Sequence, residues 1–392
     1  MRPELSVASR STMQSMIMSL VEVAARPGMI SFSTGLPDND LFDSDALVRA
    51  AESVMSEDPA GALQYDAATG YRPLREKIAR RCHDVLGFDT TWENVLMTSG
   101  SQCCFDMAGK LFLNPGDRMA VESPGYLGAI QSFSAYSPEF MGLGMGPEGI
   151  DPKGLSDAVK AGAKLFYSVP TYQNPTGYTY SKDVREEVAE IVEGSGCMMI
   201  EDDAYGELGY RGRVEKTMRS MAPENIILTG SFSKTISPGM RVGWMVVPDW
   251  LREAAGRTLE ATCLQSNTFC QRIIDRFLDD VDYETYLNGL RKGYEAKKRI
   301  FLDAMEDNLP EGMSWNDPQG GMFVWLKSPE GMDATELFDE CVRRGLVMMP
   351  GKLFHTSGGE NTMRLNFATP NEDQILRGME ILGKTCRDLG YN

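Results

Sequence analysis

Between residues 94 and 247, short apolar runs alternate with stretches whose apolar residues recur at helical spacing. The first kind predicts strands at 95–98, 118–122, 164–169, 197–202, 226–230 and 242–247. The second predicts helices at 102–113, 125–135 and 183–193. Strands that are apolar throughout, rather than alternating, are covered on both faces. The pattern therefore predicts an α/β domain built on a mostly parallel sheet.

After Pro248 the pattern turns helical as far as about residue 308, with 283–308 as one long helix. Strands at 320–327, 347–349 and 363–367 and helices at 334–344 and 371–389 then predict a smaller α+β domain. The expected division is an N-terminal segment (1–40) packing with the small domain and the substrate site, a large domain (41–290) and a small C-terminal domain (291–392). Two such domains leave a cleft between them, a usual place for a ligand. Residues 16–25 follow two arginines as a signal peptide does, but Ser19 and Glu22 interrupt the apolar run, so an amphipathic helix is expected. No run reaches the ~18 apolar residues of a membrane span.

Composition narrows the partners. The net charge of −17 repels nucleic acid and anionic membrane, and the acidity reads as solubility. None of the eight cysteines has metal-site spacing, which is the usage of reduced thiols in a cytoplasmic enzyme. Two histidines leave no histidine-rich metal site.

Polar loops follow the predicted strand ends. Thr98-Ser99-Gly100-Ser101-Gln102 is a strand-to-helix turn whose free amides attract an anion, although a plain helix cap has the same sequence. Tyr126, in Pro124-Gly125-Tyr126, is placed either to stack on a planar ring or to pack the start of a helix. Tyr172-Gln173-Asn174-Pro175-Thr176-Gly177 is either a structural turn or a loop that aims the Asn174 amide at a ligand oxygen. In Glu201-Asp202-Asp203-Ala204-Tyr205 the strand pleat turns Asp202 away from its two acidic neighbours. Lys234 ends Ser231-Phe232-Ser233-Lys234, with Arg241 seven residues on; a second cation and partial burial lower an amine's pKa and favour imine formation. Arg364, within Met363-Arg364-Leu365-Asn366-Phe367, is either a snorkelling edge residue or a fork for a carboxylate.

Together these loops supply an amine, a carboxylate, two groups able to bond a phenolic oxygen, and a phosphate cradle. Pyridoxal 5′-phosphate requires that set: a lysine for its aldehyde, an acid for its ring nitrogen and donors for its phosphate.

In order and spacing the motifs resemble the fold-type I pyridoxal-phosphate-dependent aminotransferases, and within them the kynurenine/2-aminoadipate branch. The resemblance runs from about residue 15 to the C-terminus. It takes in Pro27-Gly28-Met29-Ile30-Ser31-Phe32, Gly35-Leu36-Pro37, Leu63-Gln64-Tyr65 and Gly70-Tyr71-Arg72-Pro73-Leu74-Arg75. It implies that Lys234 holds the cofactor and later moves a proton, that Asp202 pairs with the ring nitrogen, and that Asn174 and Tyr205 bond the ring oxygen. By the same resemblance Tyr126 stacks on the ring. Ser101, Gln102, Ser231, Ser233 and Arg241 hold the phosphate, and Arg364 clamps the substrate carboxylate beside Gly35. Tyr65 is implied to reach the neighbouring subunit's phosphate, so a homodimer with shared sites is expected.

Two departures stand out. Met18-Ser19 occupies the place of an Arg-Glu pair of the aminoadipate enzymes, and Thr34 replaces the first glycine of Gly-Gly-Leu-Pro. The expected activity is amino transfer between an L-amino acid and a 2-oxo acid. The same residues also serve lyase, cyclase or oxidase chemistry, and related domains occur in transcription regulators.

Overall fold

The computed structural model describes residues 3–14, 16–212 and 216–391, with the side chains of 16–19 outside that description. The Met18-Ser19 departure therefore lies outside the described residues.

An eight-stranded sheet forms the larger body. Its order is Val95–Thr98, Gly243–Val246, Ile226–Ser231, Met198–Asp202, Ala163–Ser168, Arg118–Ser123, Glu139–Gly146 and Gly149–Ile150. Gly243–Val246 and Gly149–Ile150 run against their neighbours, and the rest is parallel.

Alternate residues of the central strands enter different cores. Met119, Val121, Leu165, Tyr167, Met198 and Ile200 face one core, whereas Ala120, Phe166 and Met199 face another. Helices cover both sides, so every residue of Val95–Thr98 and Met198–Asp202 is buried. Each large apolar side chain removed from water in this way stabilises the fold by ~1.5–3 kcal/mol. That is the physical origin of the unbroken apolar runs.

The helix Tyr283–Asn308, capped by the Asp282 carboxylate on Thr285 N, leads to a four-stranded sheet. Its order is Ser314–Trp315, Phe323–Lys327, Thr362–Asn366 and Met349–Pro350. Ala334–Arg343 and Glu372–Asp388 complete that region, the latter opened by an Asn371/Gln374 capping box. One continuous core joins Ile30 and Phe32, the large sheet, Phe301 on the long helix and Cys386 near the C-terminus. Among the described residues, no helix is long and apolar enough to cross a membrane.

Several elements differ from expectation, three of them instructively. Glu139–Gly146 is a strand, although Gly142, Gly144 and Gly146 and its half-exposed surface hide the pattern. The single strand expected at 347–349 is two short ones: Leu346–Val347 pairs in parallel with Ile30–Ser31, and Met349–Pro350 pairs with Thr362–Asn366. The strand expected at 320–327 begins only at Phe323.

Candidate active site

The parallel strands deliver their loops to one end of the large sheet, where binding sites in open α/β sheets form. A cavity of about 150 Å³ lies there. It is lined by Ser101, Gln102, Tyr126, Asn174, Asp202 and Tyr205, and by Ser231, Ser233, Lys234 and Arg241.

Asp202 ends its strand fully enclosed. Its Oδ2 accepts from the Tyr167 hydroxyl at 2.8 Å and its Oδ1 from Thr229 Oγ1 at 3.2 Å. Glu201, on the opposite side of the pleat, accepts from the backbone of Met218 and Arg219. Burial pushes the Asp202 carboxyl up to about 7, the two hydroxyls opposing it. No cation forms an ion pair with Asp202 among the described residues.

Lys234 projects from the turn after Ile226–Ser231. Its Nζ donates to the Gly35 carbonyl at 2.7 Å and lies 5.9 Å from the centre of the Tyr205 ring. Burial lowers its amine to about 8, helped by the positive charges of Arg364 and then Arg241 and opposed by Asp202.

A second buried charge faces the same region. Arg364, on Thr362–Asn366, donates through Nη1 to Asn174 Oδ1 at 2.9 Å and through Nη2 to the Ser33 carbonyl. Its guanidinium lies 4.6 Å from the Phe323 ring centre and 5.1 Å from that of Phe354. Nε is buried without a partner, and burial lowers the group to about 10. No carboxylate pairs with it among the described residues.

The anion cradle forms where two loops converge. Ser231 Oγ donates to Ser233 Oγ at 2.8 Å, and Arg241 Nη2 donates to the Ser99 carbonyl at 3.2 Å. Gly100 has φ +75°, and a side chain there would collide with the Arg241 guanidinium. Glycine is thus needed for the arginine to lie beside the first turn of the Ser101–Phe112 helix. Gln102 reaches the same cavity while its amide donates to the Gly128 carbonyl at 2.8 Å. Tyr126 lies edge-on to Phe105 with ring centres 6.4 Å apart, and Asn174 Nδ2 donates to the Tyr205 hydroxyl at 3.3 Å.

Twelve of the thirteen sequence-predicted residues thus line the cavity or touch a residue that does. Tyr65 does not: it is 74 % exposed beside Leu63, itself 72 % exposed. The sequence reading missed Tyr167, Thr229, Phe323 and Phe354. For Tyr167 a signal existed, because a tyrosine inside a buried strand requires a partner for its hydroxyl.

The family model for class I and II aminotransferases matches residues 27–382. The chain belongs to this family. As a class I/II aminotransferase it is similar to aromatic-amino-acid aminotransferase 1 of Thermococcus litoralis, with 32 % identity over 95 % of this chain and 91 % of the relative. The solved structure of the α-aminoadipate aminotransferase of Thermus thermophilus, complexed with N-(5′-phosphopyridoxyl)-L-leucine, is 32 % identical. It covers 98 % of this chain and 97 % of its own, with a TM-score of 0.90. The Pyrococcus horikoshii kynurenine aminotransferase, solved with pyridoxamine phosphate, kynurenine and kynurenic acid, is also 32 % identical. It covers 99 % and 98 %, with a TM-score of 0.93. The expected fold-type I architecture and pyridoxal-phosphate dependence stand on these likenesses.

Pyridoxal 5′-phosphate suits the residues present in this aminotransferase. Among the described residues a buried acid without a cation and a buried guanidinium without an anion both act on an amine whose pKa is lowered to about 8. Hydroxyls and an arginine gather at a helix start, where a phosphate is favoured.

Proposed function

We propose that this aminotransferase moves an amino group between an L-amino acid and a 2-oxo acid, with Lys234, Asp202 and Tyr205 at its chemical centre. Bound pyridoxal 5′-phosphate supplies an aldehyde to capture amines and a ring that takes up the electrons of a broken Cα–H bond. The remaining work falls to the chain. Lys234 Nζ would hold the cofactor through its aldehyde and, as the amine nearest the substrate, would carry the α-proton; without cofactor its pKa is lowered to about 8, so a neutral amine is accessible near physiological pH. Asp202, kept in one orientation by Tyr167 and Thr229, holds a proton on the ring nitrogen. Asn174 and Tyr205 hold the ring oxygen, Tyr126 covers the ring, and Ser101, Gln102, Ser231, Ser233 and Arg241 bind the phosphate. Arg364 grips the substrate carboxylate beside Gly35.

The observation that carries this reading is a buried Arg364 guanidinium with no carboxylate partner and a buried Asp202 carboxyl with no cation partner, among the described residues, both near enough to act on the charge of Lys234. The test is the reaction itself. The purified protein with pyridoxal 5′-phosphate, an L-amino acid and a 2-oxo acid should form a new amino acid with the parallel-line kinetics of a ping-pong enzyme. Elimination, cyclised or oxidised products in place of a new amino acid would overturn the reading.

Arg364→Lys retains the charge but loses the planar fork. It should raise KM for the amino acid roughly 10–100-fold, the worth of one charge-assisted hydrogen bond, with a smaller change in kcat. An unchanged KM would remove Arg364 from the carboxylate site.

We further read the chain as a cytoplasmic homodimer, divided into an N-terminal segment (1–40), a large domain (41–290) and a small domain (291–392). The pairing of Ile30–Ser31 with Leu346–Val347 supports the placement of the first segment against the last. The exposed Leu63 and Tyr65 support a dimer in which Tyr65 reaches the partner's phosphate.

A further inference from the structure

Glu122 is a fully buried carboxylate next to the site that the proposed chemistry leaves idle. It is the penultimate residue of Arg118–Ser123, with no exposure to solvent. Its Oε1 accepts from Ser168 Oγ at 2.7 Å, from the Tyr180 hydroxyl at 2.8 Å and from Val169 N at 3.1 Å. Its Oε2 accepts from Gln173 Nε2 at 2.7 Å. Every partner is a donor, which suits an ionised carboxylate, an acceptor at both oxygens. Burial pushes the group upward, and Gln173, Ser168, Tyr180 and the Val169 amide pull it back.

The bond to Gln173 does more than satisfy a charge. The same Nε2 also donates to the Pro124 carbonyl at 2.9 Å. Gln173 Oε1 accepts from Thr176 Oγ1 at 2.6 Å and from Thr176 N at 3.2 Å. One amide therefore fastens two loops together: Pro124 lies two residues before Tyr126, and Gln173 immediately before Asn174. Asn174 in turn touches both the Arg364 guanidinium and the Tyr205 hydroxyl.

We propose that Glu122 is a positioning residue, whose carboxylate orients Gln173 and thereby sets Asn174 and Tyr126 relative to each other. This rests on the aminotransferase reading of the site. A residue acting only as a core plug would lower stability without touching substrate affinity or the cofactor's environment.

Glu122→Gln tests the difference, because the new amide sets a donor against donors while its volume is kept. KM for the amino acid should rise about tenfold, with kcat falling less, as expected for one misplaced charge-assisted contact. The pH midpoint of the bound cofactor's visible band should move upward, since the Asn174 amide would no longer stabilise the ring oxygen's anionic form. Ser168→Ala removes a donor from the same carboxylate and leaves both loops untouched. It should lower Tm yet leave KM and the midpoint unchanged. Equal effects of the two variants, or a Glu122→Gln change confined to Tm, would overturn the proposal. Should Glu122→Gln fail to fold, Gln173→Met severs the same link from the loop side and is judged by the same two readouts. A wild-type protein with neither transamination nor a visible band would overturn the aminotransferase reading instead, and is measured first.

Discussion

Lys234→Ala should abolish the visible band of the lysine-bound cofactor and lower amino-transfer activity by roughly four orders of magnitude or more. Proton transfer by a positioned base alone contributes about 10²–10⁴-fold, and the loss of the covalent anchor adds to it. Lysine is required here for its capacity to be neutral. In water its amine is almost wholly protonated at pH 7, but burial, Arg364 and Arg241 bring it to about 8. About a tenth is then neutral at pH 7 and most of it above pH 8. The rate at which added pyridoxal 5′-phosphate loads the apoprotein should therefore rise with pH and level off above pH 8. Lys234→Arg, permanently charged, should be as inactive as Lys234→Ala. Absorbance titration and single-turnover assays measure both quantities. A Lys234→Ala protein that still developed the band would place the anchor elsewhere.

The residues proposed for the cofactor side were legible because the main ones sit at or just after the end of a strand that the apolar pattern located. Lys234 follows Ile226–Ser231, Asp202 ends Met198–Asp202, and Ser101 opens the helix after Val95–Thr98. Alternation of side chains along the pleat even placed Asp202 opposite Glu201. What escaped was set by register between strands. Tyr167 lies opposite Ile200, so it shares a face with Asp202 two residues farther on, a relation that no single strand contains. Phe323 and Phe354, whose rings lie close to Arg364, come from two different elements, the strand Phe323–Lys327 and the short helical turn Gly351–Phe354. The strand Glu139–Gly146 escaped for another reason, its glycines and half-solvated surface giving no clean period.

The Asp202→Asn substitution separates stability from chemistry, because its two effects have opposite signs. In the protein without cofactor, burial raises the Asp202 carboxyl from 3.8 to about 7. The unfolded chain therefore releases this proton near pH 4, while the folded chain keeps it until near pH 7. Across that window the unfolded state binds fewer protons, so the contribution of Asp202 to stability falls as pH rises and is then constant. An isosteric amide carries no such penalty; its oxygen keeps one of the two donors, and the hydroxyl that faces its nitrogen turns to accept instead. Apo Asp202→Asn should thus be more stable than the wild type at pH 8, by on the order of a few kcal/mol at most, and melt at a higher temperature, with a smaller gap at pH 5. Catalysis should move the other way. An amide cannot hold a proton on a ring nitrogen, and kcat should fall by roughly 10³-fold, the scale of losing one strong electrostatic contact to developing charge. Parallel melting curves at the two pH values and steady-state kinetics decide it. A variant that lost stability at pH 8, or kept its turnover within tenfold, would show that the charge at Asp202 is not what the fold has spent stability to keep.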